Sequence, residues 1–191
     1  MTPHFEWLRD IKYEGNLLLF INTHSDTESG NLVVSRNEGN PMTLPITELL
    51  DNYIDEQNLK PGVGPCIHGL VICSCGSTRR VMESAQLLKC MVERDIFDFM
   101  LAFTGISTMD AVVVPALNRS IENVYIYNIK IWDALEESFW EDRHTLNHLP
   151  VVLSFADIQN DINKKRTRVV DTRVLAFSNL KDGRPWGLDI F

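Results

Sequence analysis

The sequence predicts an α/β fold: a three-layer sandwich in which helices cover both faces of a mostly parallel central sheet. Two observations lead to this prediction. Short apolar runs recur along the chain, and segments with apolar residues at helical spacing separate them. Such alternation is typical of parallel sheets, because each parallel connection needs a crossover segment. The chain has 191 residues, 45% of them hydrophobic, and we expect a single domain over 1–191.

The first third of the chain contains a strand, a small hairpin and a helix. Asn16 to Asn22 is a continuous apolar run, as in a strand that is buried on both faces. Asn31 to Ser35 lies between two turn clusters, so we expect it to form one arm of a hairpin outside the main sheet. From Ile46 to Ile54 the apolar residues follow the spacing of a helix that packs one face on a core, and Pro45 suits its first turn.

The rest of the chain repeats this pattern. Leu70 to Cys73 is predicted to be the second buried strand, and Ser77 or Thr78 is a plausible cap for the helix that follows. Ile96 to Phe103 is the expected third strand, and a further helix begins at Asp110. The pattern is weaker beyond Trp132. There we expect strands over Val151 to Phe155 and Val169 to Phe177, with a short helix near Asp157 to Asn163 between them.

Charge and hydropathy exclude two classes of partner. Lys+Arg number 18 and Asp+Glu 26, a formal charge of −8, and a field of this sign repels nucleic-acid phosphates and anionic lipid headgroups. The longest strongly apolar run, Leu17 to Ile21, is far shorter than the roughly 20 residues that a spanning helix needs. Met1 to Asp10 does not resemble a secretory signal. We therefore expect a cytoplasmic protein with no nucleic-acid or membrane partner and with its four cysteines reduced.

Two residues with reactive side chains follow the first two predicted strands. His24 and Cys75 are both expected at the carboxyl edge of the sheet, where ligands bind in open α/β folds. A helix that starts after Cys75 would favour the thiolate, and a nearby imidazole can accept the proton. The alternative is that both are ordinary packed residues, since free cysteines are often buried. Cys73 lies within the strand and is expected to be structural.

An ordered set of short segments surrounds these two residues. The segments are Thr23-His24-Ser25, Leu32-Val33-Val34, Met42-Thr43-Leu44, Glu48-Leu49-Leu50, Ile72-Cys73-Ser74-Cys75, and Phe103-Thr104-Gly105 to Tyr125 with Asp110-Ala111. Together they resemble CHAT domains, which belong to the caspase-like clan of cysteine peptidases, over residues 12–135. The separation of 51 residues between His24 and Cys75 is close to the roughly 50 between His and Cys in caspases.

The resemblance implies a caspase-like fold and a cysteine endopeptidase that acts on a protein or peptide substrate without a metal or an organic cofactor. Cys75 would be the nucleophile and His24 the general base, with the backbone N–H groups of Ser25 and Gly76 as oxyanion donors. Charge near the site suggests two opposed substrate preferences. Arg79 would favour an acidic substrate residue and Asp26 a basic one, and the sequence does not decide between them.

Two departures from the family favour a different function. The family usually has Gly after the His, where this chain has Ser25, and it usually has further strands before the His-bearing one, where only about fifteen residues stand here. Either the domain is minimal, or a partner chain or a missing segment completes the sheet. The alternative function is thus a non-catalytic caspase-like module that acts in protein interaction or assembly. In both cases we expect self-association or a partner chain to close the uncovered sheet edge, with later strands such as Val151 to Phe155 as the internal alternative.

Overall fold

The computed structural model describes residues 10, 13–37, 40–54, 66–75, 77–105, 110–140, 146, 149–160 and 166–176. Its strands are β1 (Leu17–Asn22), β2 (Leu32–Asn37), β3 (Asn40–Leu44), β4 (His68–Cys73), β5 (Phe99–Phe103), β6 (Val151–Asn160) and β7 (Arg166–Leu175). Its helices are α1 (Ile46–Tyr53), α2 (Ser77–Arg80), α3 (Met82–Glu93), α4 (Asp110–Tyr125) and α5 (Ile131–Trp140). Strands and helices alternate over much of the described chain, so the predicted α/β class is confirmed.

The central sheet has five strands in the order β1-β4-β5-β6-β7. The pairs β1/β4 and β4/β5 are parallel, whereas β5/β6 and β6/β7 are antiparallel. The sheet is therefore mixed, and the expectation of a mostly parallel sheet holds only for β1, β4 and β5. The sequence of β7 explains its antiparallel pairing, because charged residues such as Asp171 and Arg173 interrupt its apolar ones. Antiparallel strands tolerate one wet face, which a parallel strand between two helical layers does not.

Helices cover both faces of this sheet. Leu70 and Ile72 of β4 belong to a core cluster that includes buried residues of α1 and α3, such as Leu50 and Leu88. The intervening Val71 and Cys73 belong to a second cluster, formed with residues of α4 and α5. Successive strand side chains point to opposite faces, so a run in which every residue is apolar supplies two core layers at once. This explains why β4 and β5 are buried along their whole length.

Strand β1 is only partly buried, which corrects the expectation that it is buried on both faces. It pairs only with β4 within the described chain. Leu17, Leu19 and Ile21 are partly buried against the core, but Phe20 is 46% exposed. The apolar run predicted a strand correctly, but it did not predict the exposure of Phe20. In the described part of the chain β1 has a neighbour on one side only, as expected for an uncovered sheet edge, and β6, the internal alternative for covering it, pairs with β5 instead.

The hairpin and the first helix agree with the sequence. Strands β2 and β3 form a separate antiparallel two-stranded sheet. Helix α1 starts after Pro45 and buries Ile46 and Leu50, with Ile54 buried just beyond its end. The hairpin is therefore an insertion between β1 and α1, and it begins directly after the loop that carries His24.

The helix after Cys75 differs from the prediction of one continuous helix. Helix α2 has only four residues and is separated from α3 by Val81, whose φ of −78° and ψ of 121° are those of an extended residue. A β-branched side chain accepts this conformation readily. A single helical turn has a much smaller dipole than a long helix, so the expected support for a thiolate from a helix N-terminus is weak here.

The C-terminal part of the described chain contains one correction and one addition. No short helix lies over Asp157 to Asn160, because β6 continues through these residues and pairs with the first residues of β7. The remaining part of the predicted helix, residues 161–163, lies outside the described chain. Helix α5 was not predicted, and its Ala134, Leu135 and Phe139 fill the core against α4.

The described residues also bear on membrane span and thiol state. No helix among them is both long enough and apolar enough to cross a bilayer. All four cysteines are free thiols, with Cys73 buried and the other three half-buried.

Candidate active site

The register of two parallel strands sets His24 and Cys75 side by side. Asn22 of β1 is aligned with Cys73 of β4, and the same offset holds along both strands. His24 and Cys75 are separated by the same 51 residues, and each lies two residues beyond its strand. The N–H of Thr23 donates to the carbonyl of Cys73 at 3.1 Å, so the alignment continues past the strand ends. Neighbouring strands lie about 4.8 Å apart, which brings the two side chains within reach.

The imidazole and the thiol face each other at the carboxyl edge of the sheet. Cys75 Sγ lies 3.7 Å from His24 Nδ1, within hydrogen-bonding reach of a sulfur atom. His24 is exposed and Cys75 is half-buried, so a molecule in solvent can approach the sulfur. The expected juxtaposition is therefore present. A thiol beside an imidazole can transfer its proton to the ring and become a nucleophile.

Ser25 connects the loop of the imidazole to the loop of the thiol. Its hydroxyl donates a hydrogen bond to the backbone carbonyl of Cys75. A second hydroxyl, that of Ser74, lies 3.3 Å from the same carbonyl and 3.0 Å from Thr78 Oγ1. Ser25 is only 8% exposed. Its side chain thus takes part in a buried contact between the two loops.

The backbone N–H of Ser25 is the candidate oxyanion donor that the structure describes. Ser25 forms an isolated antiparallel bridge with Leu32. The flanking hydrogen bonds run from Asp26 N–H to the Asn31 carbonyl at 2.8 Å and from Val33 N–H to the His24 carbonyl at 2.9 Å. In this pattern the bridged residue directs its own N–H away from its partner strand. Within the described chain the Ser25 N–H has no acceptor, while the other predicted donor, Gly76, lies outside the described residues.

The turn that follows Ser25 packs on the start of α3. Gly30 has a φ of +72°, and a Cβ atom at this position would lie 2.9 Å from the carbonyl oxygen of Ser77. The hydroxyl of Ser84 donates to the Gly30 carbonyl at 3.3 Å. A side chain at position 30 would push the turn away from α2 and α3, so glycine is required for this contact. The loop that carries His24 is thereby fixed at both ends.

Asp26 closes this turn. Its Oδ1 accepts hydrogen bonds from the N–H and the hydroxyl of Ser29, both at 2.7 Å, and from the N–H of Glu28 at 3.1 Å. These bonds, chiefly those from Ser29, hold the pKa of Asp26 below its usual value. The carboxylate therefore has a structural task in the turn, besides any contact that it could make with a substrate.

Arg79 is directed along the sheet. Its Nη2 donates to Ser154 Oγ at 3.3 Å, and Ser154 lies on β6, which β5 separates from the strand that precedes Cys75. Burial lowers the pKa of Arg79 to about 10. The structure thus brings Ser25 and Asp26 next to the His24–Cys75 pair, but it gives the Arg79 guanidinium a partner two strands away.

No role was predicted from the sequence for the hydroxyl groups of Thr23 and Ser74, which lie next to the pair in the chain. Thr23 Oγ1 donates to the Val33 carbonyl at 2.6 Å, and the Ser74–Thr78 contact fixes the other loop. The available signal was the run of Ser and Thr on both sides of His24 and Cys75. Such residues commonly hydrogen-bond to backbone groups in loops, so their function could only be assigned once their partners were known.

The described part of the chain contains no candidate metal site, because no three of its His, Cys, Asp or Glu residues cluster.

Comparison of the chain with protein-family models, with curated proteins and with solved structures finds no match.

Proposed function

We propose that this chain is a caspase-like cysteine endopeptidase in which Cys75 is the nucleophile and His24 the general base. The observation that supports the proposal is the distance of 3.7 Å between Cys75 Sγ and His24 Nδ1. The pair lies at the carboxyl edge of two parallel strands, and both side chains are accessible to solvent. The ordered resemblance to CHAT domains points to the same two residues.

The reaction begins with transfer of the Cys75 proton to His24. The thiolate then attacks the carbonyl carbon of a peptide bond, and a C–S bond forms as the carbonyl becomes an oxyanion. When the tetrahedral intermediate collapses, the C–N bond breaks and the imidazolium gives its proton to the leaving amine. Water, deprotonated by His24, hydrolyses the remaining thioester and regenerates the thiol. Neither a metal nor a redox partner is needed for these steps.

Stabilisation of the oxyanion falls to backbone N–H groups. Ser25 N–H is the described candidate, because it is directed away from Leu32 and has no acceptor in the described chain. Removal of a single donor from such a site in other enzymes lowers kcat by about 100- to 1,000-fold. Since the donor is a backbone group, the serine side chain does not by itself abolish the site.

A non-catalytic role in assembly is the second candidate, and the uncharged edge strand β1 favours it. Its sequence, LLLFIN, contains no charged residue and no proline. Exposed strands of this kind pair readily with another chain. An assembly module would use this edge and would not depend on the thiol of Cys75.

Peptide cleavage by variants separates the two functions. The protein is incubated with a peptide library prepared from a whole proteome, and new N-termini are identified by mass spectrometry. We expect cleavage by the wild type and a loss of at least about 100-fold in Cys75→Ala and in His24→Ala. Cys90→Ala is the matched control, because Cys90 is also half-buried but lies on α3. It should cleave like the wild type.

Two results would argue against the peptidase. Cleavage that survives Cys75→Ala would show that the activity comes from another group or a contaminant. Absence of cleavage by a folded wild-type protein over the whole library would favour the assembly module.

A further inference from the structure

The carbonyl of Cys75 is held by hydroxyl groups from two different loops. Ser25, next to the proposed base, donates to it from the loop after β1, and Ser74 lies 3.3 Å from it within the loop after β4. Ser74 is itself in contact with Thr78. Hence the backbone of the proposed nucleophile is held both by the loop that carries the base and by the loop that carries Cys75 itself.

This link is independent of the contact between sulfur and imidazole. Beyond the strand ends, the bond from Thr23 N–H to the Cys73 carbonyl is the last ladder-type bond between the described residues of the two loops. His24 lies one residue beyond Thr23 and Cys75 two residues beyond Cys73, where the pairing of β1 with β4 no longer connects the two loops. The Ser25 hydroxyl supplies the next connection, and a glycine at position 25 has no side chain with which to make it.

We infer that Ser25 is a positioning residue, whose hydroxyl holds Cys75 at the distance from His24 at which proton transfer occurs. The inference rests on the proposed function. Errors of about 1 Å in the placement of reacting groups can cost about 100-fold in rate, so a bond that fixes the nucleophile's backbone has a direct effect on the chemistry. A structural serine, in contrast, would stabilise the fold without changing how His24 affects Cys75.

A double-mutant cycle on thiol reactivity tests the inference. The rate of Cys75 alkylation by iodoacetamide is measured at neutral pH by mass spectrometry in wild type, Ser25→Ala, His24→Ala and the double variant. We expect each single substitution to slow alkylation by about tenfold, and the double variant to be no slower than His24→Ala, because coupled residues are not additive. Ser25→Thr, which keeps the hydroxyl, should restore most of the rate, and Ser25→Gly should behave like Ser25→Ala.

Thr104→Ala is the matched control. Thr104 is also buried, and its hydroxyl donates to a backbone carbonyl, that of Pro150, at 3.2 Å, but it follows β5 and belongs to neither loop of the pair. This variant should alkylate at the wild-type rate, and circular dichroism should show that all variants are folded.

The outcomes distinguish this inference from the proposed function. If His24→Ala slows alkylation but Ser25→Ala and Ser25→Gly do not, or if Ser25→Ala slows it equally with and without His24, the positioning role is wrong and the catalytic pair stands. If His24→Ala leaves the rate unchanged, both the catalytic pair and the positioning role fail.

Discussion

Cys73 and Cys75 lie two residues apart and have different surroundings. Cys73 is the last residue of β4 and is 1% exposed, in the core cluster with Val71 and Leu101. Cys75 lies beyond the strand, half-buried and beside His24. Residues i and i+2 share a face only while a strand continues, so the end of β4 separates a packed thiol from an accessible one.

Alkylation should follow this difference. In the folded protein iodoacetamide should modify Cys75 first, because it is accessible and adjacent to a base, and Cys73 should react only after unfolding in urea. Tandem mass spectrometry locates the adducts, with Cys90 as the reference for a half-buried thiol. Modification of Cys73 in the native state at the rate of Cys75 would reverse the two assignments.

Folding changes the ionisation of Tyr125. Its hydroxyl donates to the Leu17 carbonyl at 3.0 Å. Burial and then the nearby Asp98 carboxylate raise the pKa of Tyr125 well above its ordinary value. The unfolded phenol ionises near pH 10, whereas the folded one keeps its proton. The unfolded state therefore binds fewer protons above about pH 10, so this residue's contribution is complete below that pH and declines above it.

Tyr125→Phe removes both the hydrogen bond and its pH dependence. At pH 8 we expect the variant to be less stable than the wild type by about 1 kcal/mol, from the loss of one partly buried hydrogen bond. The difference should shrink as the pH rises above about 10. Urea unfolding at several pH values measures it. Tyr127→Phe, which removes an exposed hydroxyl, should cost less than about 0.5 kcal/mol at pH 8. A gap between Tyr125→Phe and wild type that grows with pH would contradict the assignment.

At the scale of elements, Arg168 of β7 ties the C-terminal hairpin to the turn between α3 and β5. Its Nη1 lies 2.6 Å from Asp95 Oδ1 and 3.2 Å from Asp98 Oδ1. Its Nη2 donates to the carbonyls of Phe97 at 2.8 Å and Val92 at 3.3 Å. One guanidinium thus satisfies four acceptors, which a lysine cannot do with the same geometry.

Arg168→Met should destabilise the protein by about 2 kcal/mol, because it leaves a partly buried carboxylate and carbonyl acceptors without their donor. Lys89→Met is the control. It breaks an exposed pair with Glu93, where both side chains are 41% exposed, and such pairs contribute about 0.5 kcal/mol or less. Urea unfolding compares the two. An Arg168→Met variant no less stable than Lys89→Met would show that the four contacts make no net contribution to the free energy of unfolding.

The sequence predicts those elements whose signal is local. The apolar runs of β4 and β5 and the helical spacing of α1 identify buried elements, and turn residues mark the β2–β3 hairpin. The order and direction of strands are not local information, so the antiparallel pairing of β6 with β5 was not predicted. The proximity of His24 and Cys75 was predicted because it needs only two adjacent parallel strands. The role of the Ser25 hydroxyl could not be predicted, since it depends on which carbonyl the hydroxyl contacts.

Across the whole molecule, the two edges of the sheet that the described residues form differ in character. The edge strand β7 carries charged side chains, among them Asp171 and Arg173, which discourage pairing with another sheet. Strand β1 carries none, and Phe20 is exposed on it. Two copies of β1 related by a two-fold axis would pair as antiparallel strands with apolar residues facing apolar residues. No charged side chain of β1 itself opposes this contact.

We therefore expect self-association through β1. Sedimentation at micromolar concentration should show a dimer, and Phe20→Lys should be a monomer with unchanged far-UV circular dichroism, since an edge lysine blocks strand pairing. Val174→Lys places the same charge on β7, at a residue that is 39% exposed. This control should remain dimeric. A monomeric wild type, or a dimer that only Val174→Lys disrupts, would contradict the role of β1.

The proposed covalent intermediate on Cys75, formed with the help of His24, can be detected by acylation. The protein is mixed with a panel of activated peptide esters and quenched in acid, and tandem mass spectrometry locates the thioester. We expect an acyl group on Cys75 that disappears with time as water hydrolyses it, acylation at least about 100-fold slower in His24→Ala, and no adduct at that position in Cys75→Ala. Acyl groups distributed equally over Cys66, Cys75 and Cys90, at rates that His24→Ala does not change, would contradict the proposal.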